Sequence, residues 1–113
     1  MATSSETTES PAEPHHPWST AETEELCAIV ARLQTPEETA RFLRDLCTLG
    51  ELEAMAHRWQ VAKLLDQGLP YLEVARRTGA STTTVTRVAH WLRHGEGGYR
   101  LLLDRTRGAR TTV

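Results

Sequence analysis

The chain has 113 residues, 39% of them hydrophobic, and a formal net charge of −2, which leaves room for one domain. No apolar stretch has the length of a signal-peptide core or a membrane-spanning helix, so we expect a cytoplasmic protein with no membrane partner. The charge is −8 over residues 1–57 (three basic, eleven acidic) and +6 over residues 58–113 (ten basic, four acidic), which is typical of a molecule that meets phosphate at one end, or simply of an uneven solvated surface.

Residues 1–17 are predicted to be a disordered tail. Polar residues and three prolines fill this stretch, so little apolar surface is available to offset the entropy of ordering it. The remainder buries only a modest core as a monomer, and we therefore expect a second chain to complete that core. Cys27 and Cys47 are too far apart in sequence for a metal-binding pair. They are predicted to be small core residues, with a regulatory disulfide as the alternative.

Three helices are predicted before Gly68, which closes the third of them. The first covers about residues 19–33. Apolar residues recur at helical spacing along all three, and no segment alternates like a strand, so the predicted fold class is all-α. Each helix start is marked by a pair of residues suited to the first turn, namely Ser19 with Glu22, Thr35 with Pro36, and Thr48 with Glu51.

A helix-turn-helix is predicted over residues 69–88. Two short helices that cross steeply need a small residue at the crossing, here Ala75, and a turn residue that tolerates left-handed backbone, here Gly79. Ser81 is the predicted N-cap of the second helix and accepts a hydrogen bond from the N–H of Thr84. The alternative is a plain helical hairpin with a glycine turn. Three valines are expected to attach the pair to the domain: Val74, Val85 and Val88.

The exposed face of the second helix carries residue types that read DNA. Short hydroxyl side chains let a helix lie deep in the major groove, where they bond to base edges, while arginines contact phosphates. A run of hydroxyls also occurs where a helix simply begins weakly. The predicted DNA-binding residues are Arg76, Arg77, Ser81, Thr82, Thr83, Thr84, Thr86, Arg87 and His90, with Arg93 as a further phosphate contact.

Other chemistry finds little support in the sequence. His90 and His94 have the spacing of metal ligands, but histidines near phosphate are commoner, and no metal or cofactor is predicted. No glycine-rich phosphate loop and no set of nucleophile, histidine and carboxylate is present, so we predict that the protein is not an enzyme. A short helix is predicted over residues 99–103. A basic tail over residues 106–113 then either frays or adds phosphate contacts.

Three segments carry a resemblance to a known family. They are Glu-Ala-Met-Ala-His-Arg-Trp at residues 53–59, Thr-Gly-Ala-Ser-Thr-Thr-Thr-Val-Thr-Arg-Val at residues 78–88, and Gly-Glu-Gly-Gly-Tyr at residues 95–99. With these segments the chain resembles the tryptophan-repressor superfamily, and within it the YerC/YecD-type tryptophan-repressor-related proteins. The resemblance implies a tryptophan-repressor-like domain, here residues 18–105, in which two chains interlock as a homodimer on a near-palindromic operator.

The resemblance also bears on a small-molecule effector. In the tryptophan-sensing repressor, two arginines hold the corepressor beside the helix-turn-helix. One position matches Arg87 and the other falls at His57, next to Arg58, so Arg58 and Arg87 are the candidate ligand-binding residues and the existence of an effector stays open. The family's glycine and serine positions in that pocket are Val88 and Trp91 here. We interpret Trp91 either as a core residue or as a side chain that fills part of the corepressor space.

The predicted function is a sequence-specific transcription regulator that binds double-stranded DNA as a homodimer and represses by covering its operator. An arginine with which the family touches a base is replaced by Leu72, so the operator sequence does not transfer. The alternative is a protein-interaction module that keeps the fold without reading DNA.

Overall fold

The computed structural model describes residues 16–111, with side chains as far as residue 107. All regular structure in this part of the chain is helical, which confirms the all-α prediction, and none of its helices is long and apolar enough to cross a bilayer. The described part of the chain divides into two compact units, residues 16–46 and residues 47–111. The helices are α1 (Ala21–Val30), α2 (Pro36–Leu46), α3 (Leu49–Asp66), α4 (Tyr71–Thr78), α5 (Thr82–His94) and α6 (Gly98–Thr111).

The first helix, predicted over about residues 19–33, has its N-cap one residue later than expected and ends at Val30. Thr20, not Ser19, is the N-cap of α1, and it forms the capping box with Thr23. The Ser19 hydroxyl is buried instead and lies 2.9 Å from a carboxylate oxygen of Glu24. Two overlapping capping patterns exist in the sequence, and burial of Ser19 selects the second. The predicted disordered tail lies outside the described residues except for positions 16 and 17.

The apolar faces of α1 and α2 are open in the single chain. α2 starts as predicted, because the Thr35 hydroxyl accepts a hydrogen bond from the N–H of Glu38 at 3.1 Å and Pro36 occupies the first helical position. Neither α1 nor α2 contains a buried residue. The prediction of core cysteines is therefore wrong for this chain: Cys27 on α1 is exposed and Cys47 is only half-buried.

The second unit has a core of its own. α3 begins with the predicted capping box, in which the N–H of Glu51 donates to the Thr48 hydroxyl at 3.1 Å and the Glu51 carboxylate accepts from the N–H of Thr48 at 2.8 Å. Gly68, with φ +90°, ends it in left-handed backbone. α3 packs against α4, α5 and α6. The fully buried side chains come from the first three of these helices: Val61, Ala62, Val74, Val85 and Val88.

The closing helix α6 is longer than the sequence predicts. It runs from Gly98 to Thr111 and so contains the helix predicted over residues 99–103, but residues 106–111, which were predicted to be a tail, are helical as well. Leu103 is buried, and Arg100 and Arg107 both form ion pairs with Asp66 at the end of α3. The guanidinium of Arg107 therefore has a partner within the fold, whereas the tail was predicted either to fray or to add phosphate contacts.

Candidate nucleic-acid interface

The turn between α4 and α5 has the geometry that the sequence predicts. Gly79 adopts φ +78° and ψ +1°, and its N–H donates to the carbonyl of Ala75 at 2.9 Å. Thr78 supports the turn because its hydroxyl donates to the carbonyl of Val74 at 2.8 Å and accepts from the N–H of Ala80 at 3.1 Å. Left-handed backbone disfavours any residue with a Cβ, which explains the glycine.

The N-cap of α5 uses two of the predicted DNA-binding residues. The Ser81 hydroxyl accepts from the N–H of Thr84 at 3.1 Å, as predicted, and the two hydroxyls lie 3.1 Å apart. Thr84 is half-buried, whereas Ser81 is exposed. These two side chains therefore define where α5 begins, and their hydroxyls already have intramolecular partners.

The opposite faces of α5 differ sharply in polarity. Val85, Val88 and Ala89 are buried against the other helices of the unit, with Val85 fully inaccessible. Five predicted DNA-binding residues are exposed on the remaining surface of the helix. Together with Trp91 they line a shallow, open cavity of about 640 Å³, and they are Thr82, Thr83, Thr86, Arg87 and His90.

The arginines predicted to contact phosphate on α4 form a cluster with Glu73. The Glu73 carboxylate accepts from Nε of Arg76 at 3.1 Å and from Nε of Arg77 at 2.7 Å, with a second, shorter contact to Nη2 of Arg76. These hydrogen bonds lower the pKa of Glu73 to about 2, and the same contact raises the pKa of Arg76. Glu73 was not among the residues predicted from the sequence, although its spacing of three and four residues from the arginines is the signal for such pairs.

The histidines near the end of α5 pack on each other and on an indole. The ring of His90 meets Trp91 edge-on, with centroids 5.0 Å apart, and lies 5.2 Å from the ring of His94. Within the described residues, no three side chains of His, Cys, Asp or Glu come together as a metal-ligating group. His90 lines the same cavity as the threonines and Arg87, so it lies on the polar face of α5.

Comparisons with known proteins place these features in a family. The family model described as Trp repressor protein matches residues 21–107. The chain belongs to the Trp repressor protein family. A relative in Bacillus subtilis (strain 168), the uncharacterized protein YerC, is 38% identical over 90 residues, which cover 80% of this chain and 86% of that protein. The resemblance to YerC-type proteins is therefore confirmed.

Two solved structures share the fold of this Trp repressor family member. A candidate Trp repressor from Staphylococcus aureus is 37% identical with a TM-score of 0.74, covering 79% of this chain and 89% of that one. A TrpR-like protein from Eubacterium eligens ATCC 27750 is 36% identical with a TM-score of 0.73, covering 77% and 90%. The family consists of DNA-binding, non-enzymatic regulators.

Trp91 is not a core residue of the single chain. Its side chain is 54% exposed, so the core interpretation is wrong for the single chain, whereas Val88, one turn earlier, is 2% exposed. A Cβ at Gly95 would come within 2.5 Å of the Trp91 carbonyl oxygen, so glycine is required there. Trp91 lies between the cavity on α5 and a second, mainly apolar one of about 520 Å³, which is lined by Met55, Trp59, Trp91, Gly95, Glu96, Gly98, Tyr99 and Leu102.

The two arginines that the family resemblance nominates for ligand binding are placed differently. Arg87 lines the cavity on α5 beside Trp91. Arg58 is exposed on α3 and lines neither that cavity nor the apolar one. Leu72, the position to which the family resemblance assigns a base-contacting arginine, is 74% exposed in the first turn of α4.

Proposed function

We propose that this protein is a sequence-specific transcription regulator that inserts α5 into the major groove of DNA. The observation that carries the proposal is the polarity of α5: buried valines hold the helix to the unit, and its open face presents hydroxyls, Arg87 and His90. Short hydroxyl side chains allow close approach to base edges, and Arg87 can bond to a guanine or to phosphate. Membership of a DNA-binding family supports the same conclusion.

The regulator acts as a homodimer on a near-palindromic operator and represses by covering it. The exposed apolar side chains of α1 and α2, which include Leu26, Ile29, Val30 and Leu46, support this part of the proposal. Exposure of four such side chains to water is unfavourable for a monomer, whereas a second chain that covers them completes the core. Two-fold symmetry then presents two copies of α5 to half-sites one helical turn apart.

The test is selection of bound fragments from sheared genomic DNA, at about physiological salt, without added ligand. We expect enrichment of a motif with two inverted half-sites. Thr83→Ala and Thr86→Ala should each lower the preference for that motif over random duplex, because one or two base contacts are lost at about 1–3 kcal/mol each. Thr106→Ala, on exposed surface of α6, is the matched control and should keep the preference.

Absence of any enriched motif would contradict specific reading without an effector. Repetition with L-tryptophan then tests one effector, since a motif that appears only in its presence identifies a tryptophan-dependent reader. We also propose that Trp91 fills part of the space that a free indole would take, so that L-tryptophan is not needed. Isothermal titration that detects micromolar binding of L-tryptophan would contradict this part alone.

A further inference from the structure

Glu73 is the only acidic residue in α4 and α5, which together carry four arginines. It bonds to two of them, Arg76 and Arg77, through three nitrogen atoms. The carboxylate is the least exposed of the three side chains at 30%, against 69% for Arg76 and 53% for Arg77. The anion therefore lies beneath two guanidinium groups that extend outward from it.

The hydrogen bonds occupy the Nε side of each guanidinium group. A guanidinium has five N–H donors. Arg76 uses donors on Nε and Nη2, and Arg77 uses the donor on Nε, so the carboxylate takes the place that a phosphate oxygen pair would take in a bidentate complex. A phosphate that approaches Arg76 from this side must displace Glu73 or accept its repulsion. The cluster carries a net charge of +1 in place of +2.

We propose that Glu73 acts as an internal phosphate substitute that weakens nonspecific binding of DNA by Arg76 and Arg77. The inference rests on the proposed function and concerns the same interface. Nonspecific binding depends almost wholly on phosphate contacts, whereas specific binding adds base contacts from α5. A carboxylate that competes for two phosphate-binding arginines therefore weakens a contact on which nonspecific binding mainly depends. Glu73 is thus a positioning residue, which acts on DNA through Arg76 and Arg77.

The pKa of Glu73, about 2, keeps this competition constant at ordinary pH. Its cause is the hydrogen bonding from Arg76 and then from Arg77. The carboxylate is ionised throughout the range in which DNA binding is measured, so proton uptake does not release the arginines. Only replacement of Glu73 or displacement by phosphate does so.

The experiment compares wild type with Glu73→Gln for binding to a 30-base-pair random-sequence duplex over about 0.1–0.4 M salt. Release of the arginines adds about one phosphate contact, which steepens the slope of log affinity against log salt by about 0.9. We expect Glu73→Gln to bind this duplex about five- to tenfold more tightly at 0.1 M salt. Thermal unfolding of both proteins checks that the fold is intact.

Two further variants assign the effect to the arginines. Glu53→Gln makes the same charge change at an exposed position on α3 and should alter affinity far less. In an Arg76→Gln/Arg77→Gln background, Glu73→Gln should have no more effect than Glu53→Gln. An effect that persists in this background shows that Glu73 merely repels DNA and overturns the proposal.

The remaining outcomes are equally decisive. If wild type binds duplex DNA with a salt-dependent affinity and Glu73→Gln binds equally or more weakly, this inference fails while the proposed function stands. If wild type shows no salt-dependent binding to any duplex, the proposed function fails and the inference falls with it.

Discussion

Residues 47–111 and residues 16–46 use their apolar side chains in opposite ways. The first range encloses a cluster of valines, with Val61, Val74 and Val85 fully inaccessible. In the second range Ser19 is the one buried residue that the structure describes, and the apolar residues of α1 are 40–44% exposed. Both ranges have helices with good caps. The difference is that only residues 47–111 bury apolar side chains within the chain.

Under the proposed function, this difference separates the part that holds the candidate DNA-binding residues from the part whose apolar side chains a second chain would cover. A face that presents Thr83 and Thr86 accurately needs a rigid support, and the buried valines under α5 supply it. Helices with open apolar faces are instead suited to association. Burial of such a face releases ordered water, and no polar group loses a hydrogen bond. Variants in matched positions of the two ranges test whether this division is real.

The largest effect is expected for Leu26→Asp combined with Ile29→Asp on α1. Two carboxylates in a face that a second chain covers should weaken dimerisation roughly 100-fold or more, because ionised groups resist burial. Sedimentation equilibrium measures this change, and DNA affinity should fall with it. Ala28→Asp, exposed on the opposite side of the same helix, is the control. A monomeric wild type, or a double variant that still forms dimers, would contradict the assignment of dimerisation to residues 16–46.

A smaller effect is expected when one valine in each range is truncated to alanine. Val85→Ala, in the core, should lower the free energy of unfolding by about 2–3 kcal/mol at every protein concentration, because two buried methyl groups and their packing are lost. Val30→Ala, at a position 40% exposed, should cost little in dilute solution and more as concentration rises. Urea unfolding at two concentrations measures both. Equal, concentration-independent losses would show that α1 is part of one common core.

The smallest effect is expected for Asp66, which joins the end of α3 to α6. Partial burial raises the pKa of Asp66, but the hydrogen bond and charge of Arg100, together with Arg107, outweigh this and lower the pKa below its usual value of 3.8. Because the pKa of Asp66 is lower in the folded protein than in the unfolded chain, its ionised carboxylate raises the free energy of unfolding at pH values above the unfolded-chain pKa. This contribution is lost as the pH falls through the lower, folded-state pKa. Asp66→Asn should therefore cost about 1 kcal/mol near neutral pH and lose its disadvantage in acid.

The control for Asp66 comes from the other range. Asp45, at the end of α2, is exposed, and Asp45→Asn should change the free energy of unfolding much less than Asp66→Asn near neutral pH. Urea unfolding from about pH 7 to pH 3 compares the two variants. A loss for Asp66→Asn that stays the same across this range would mean that its ion pairs with α6 do not carry the stability assigned to them.

The predictions that succeeded concern hydrogen bonds between near neighbours in sequence. Thr48 with Glu51, Gly79 in the turn, and Ser81 with Thr84 all have the geometry expected from spacing alone. Their partners lie within four residues, so the backbone of one helical turn brings them together whatever the rest of the chain does. Glu73 with Arg76 belongs to the same class, and its spacing would have been sufficient to predict the pair, although it was not predicted.

The predictions that failed depend on which surfaces are covered. Trp91 has the spacing of a core residue, yet no described helix covers its indole fully, and Cys27 is exposed for the same reason. The added length of α6 includes Arg107, whose partner Asp66 precedes it by 41 residues. Periodicity shows that a helix has an apolar face but does not show what lies against it.

The sequence by itself determined the helical class, most helix starts, the left-handed turn and the exposed hydroxyls of α5, because each depends on local backbone geometry and periodicity. The tertiary structure decided that a cluster of five residues from α3, α4 and α5 forms the core, that Trp91 remains half-exposed, and that α6 continues along α3. These outcomes depend on contacts between residues far apart in sequence. Such contacts form only when packing brings complementary surfaces together, and no spacing pattern contains that information.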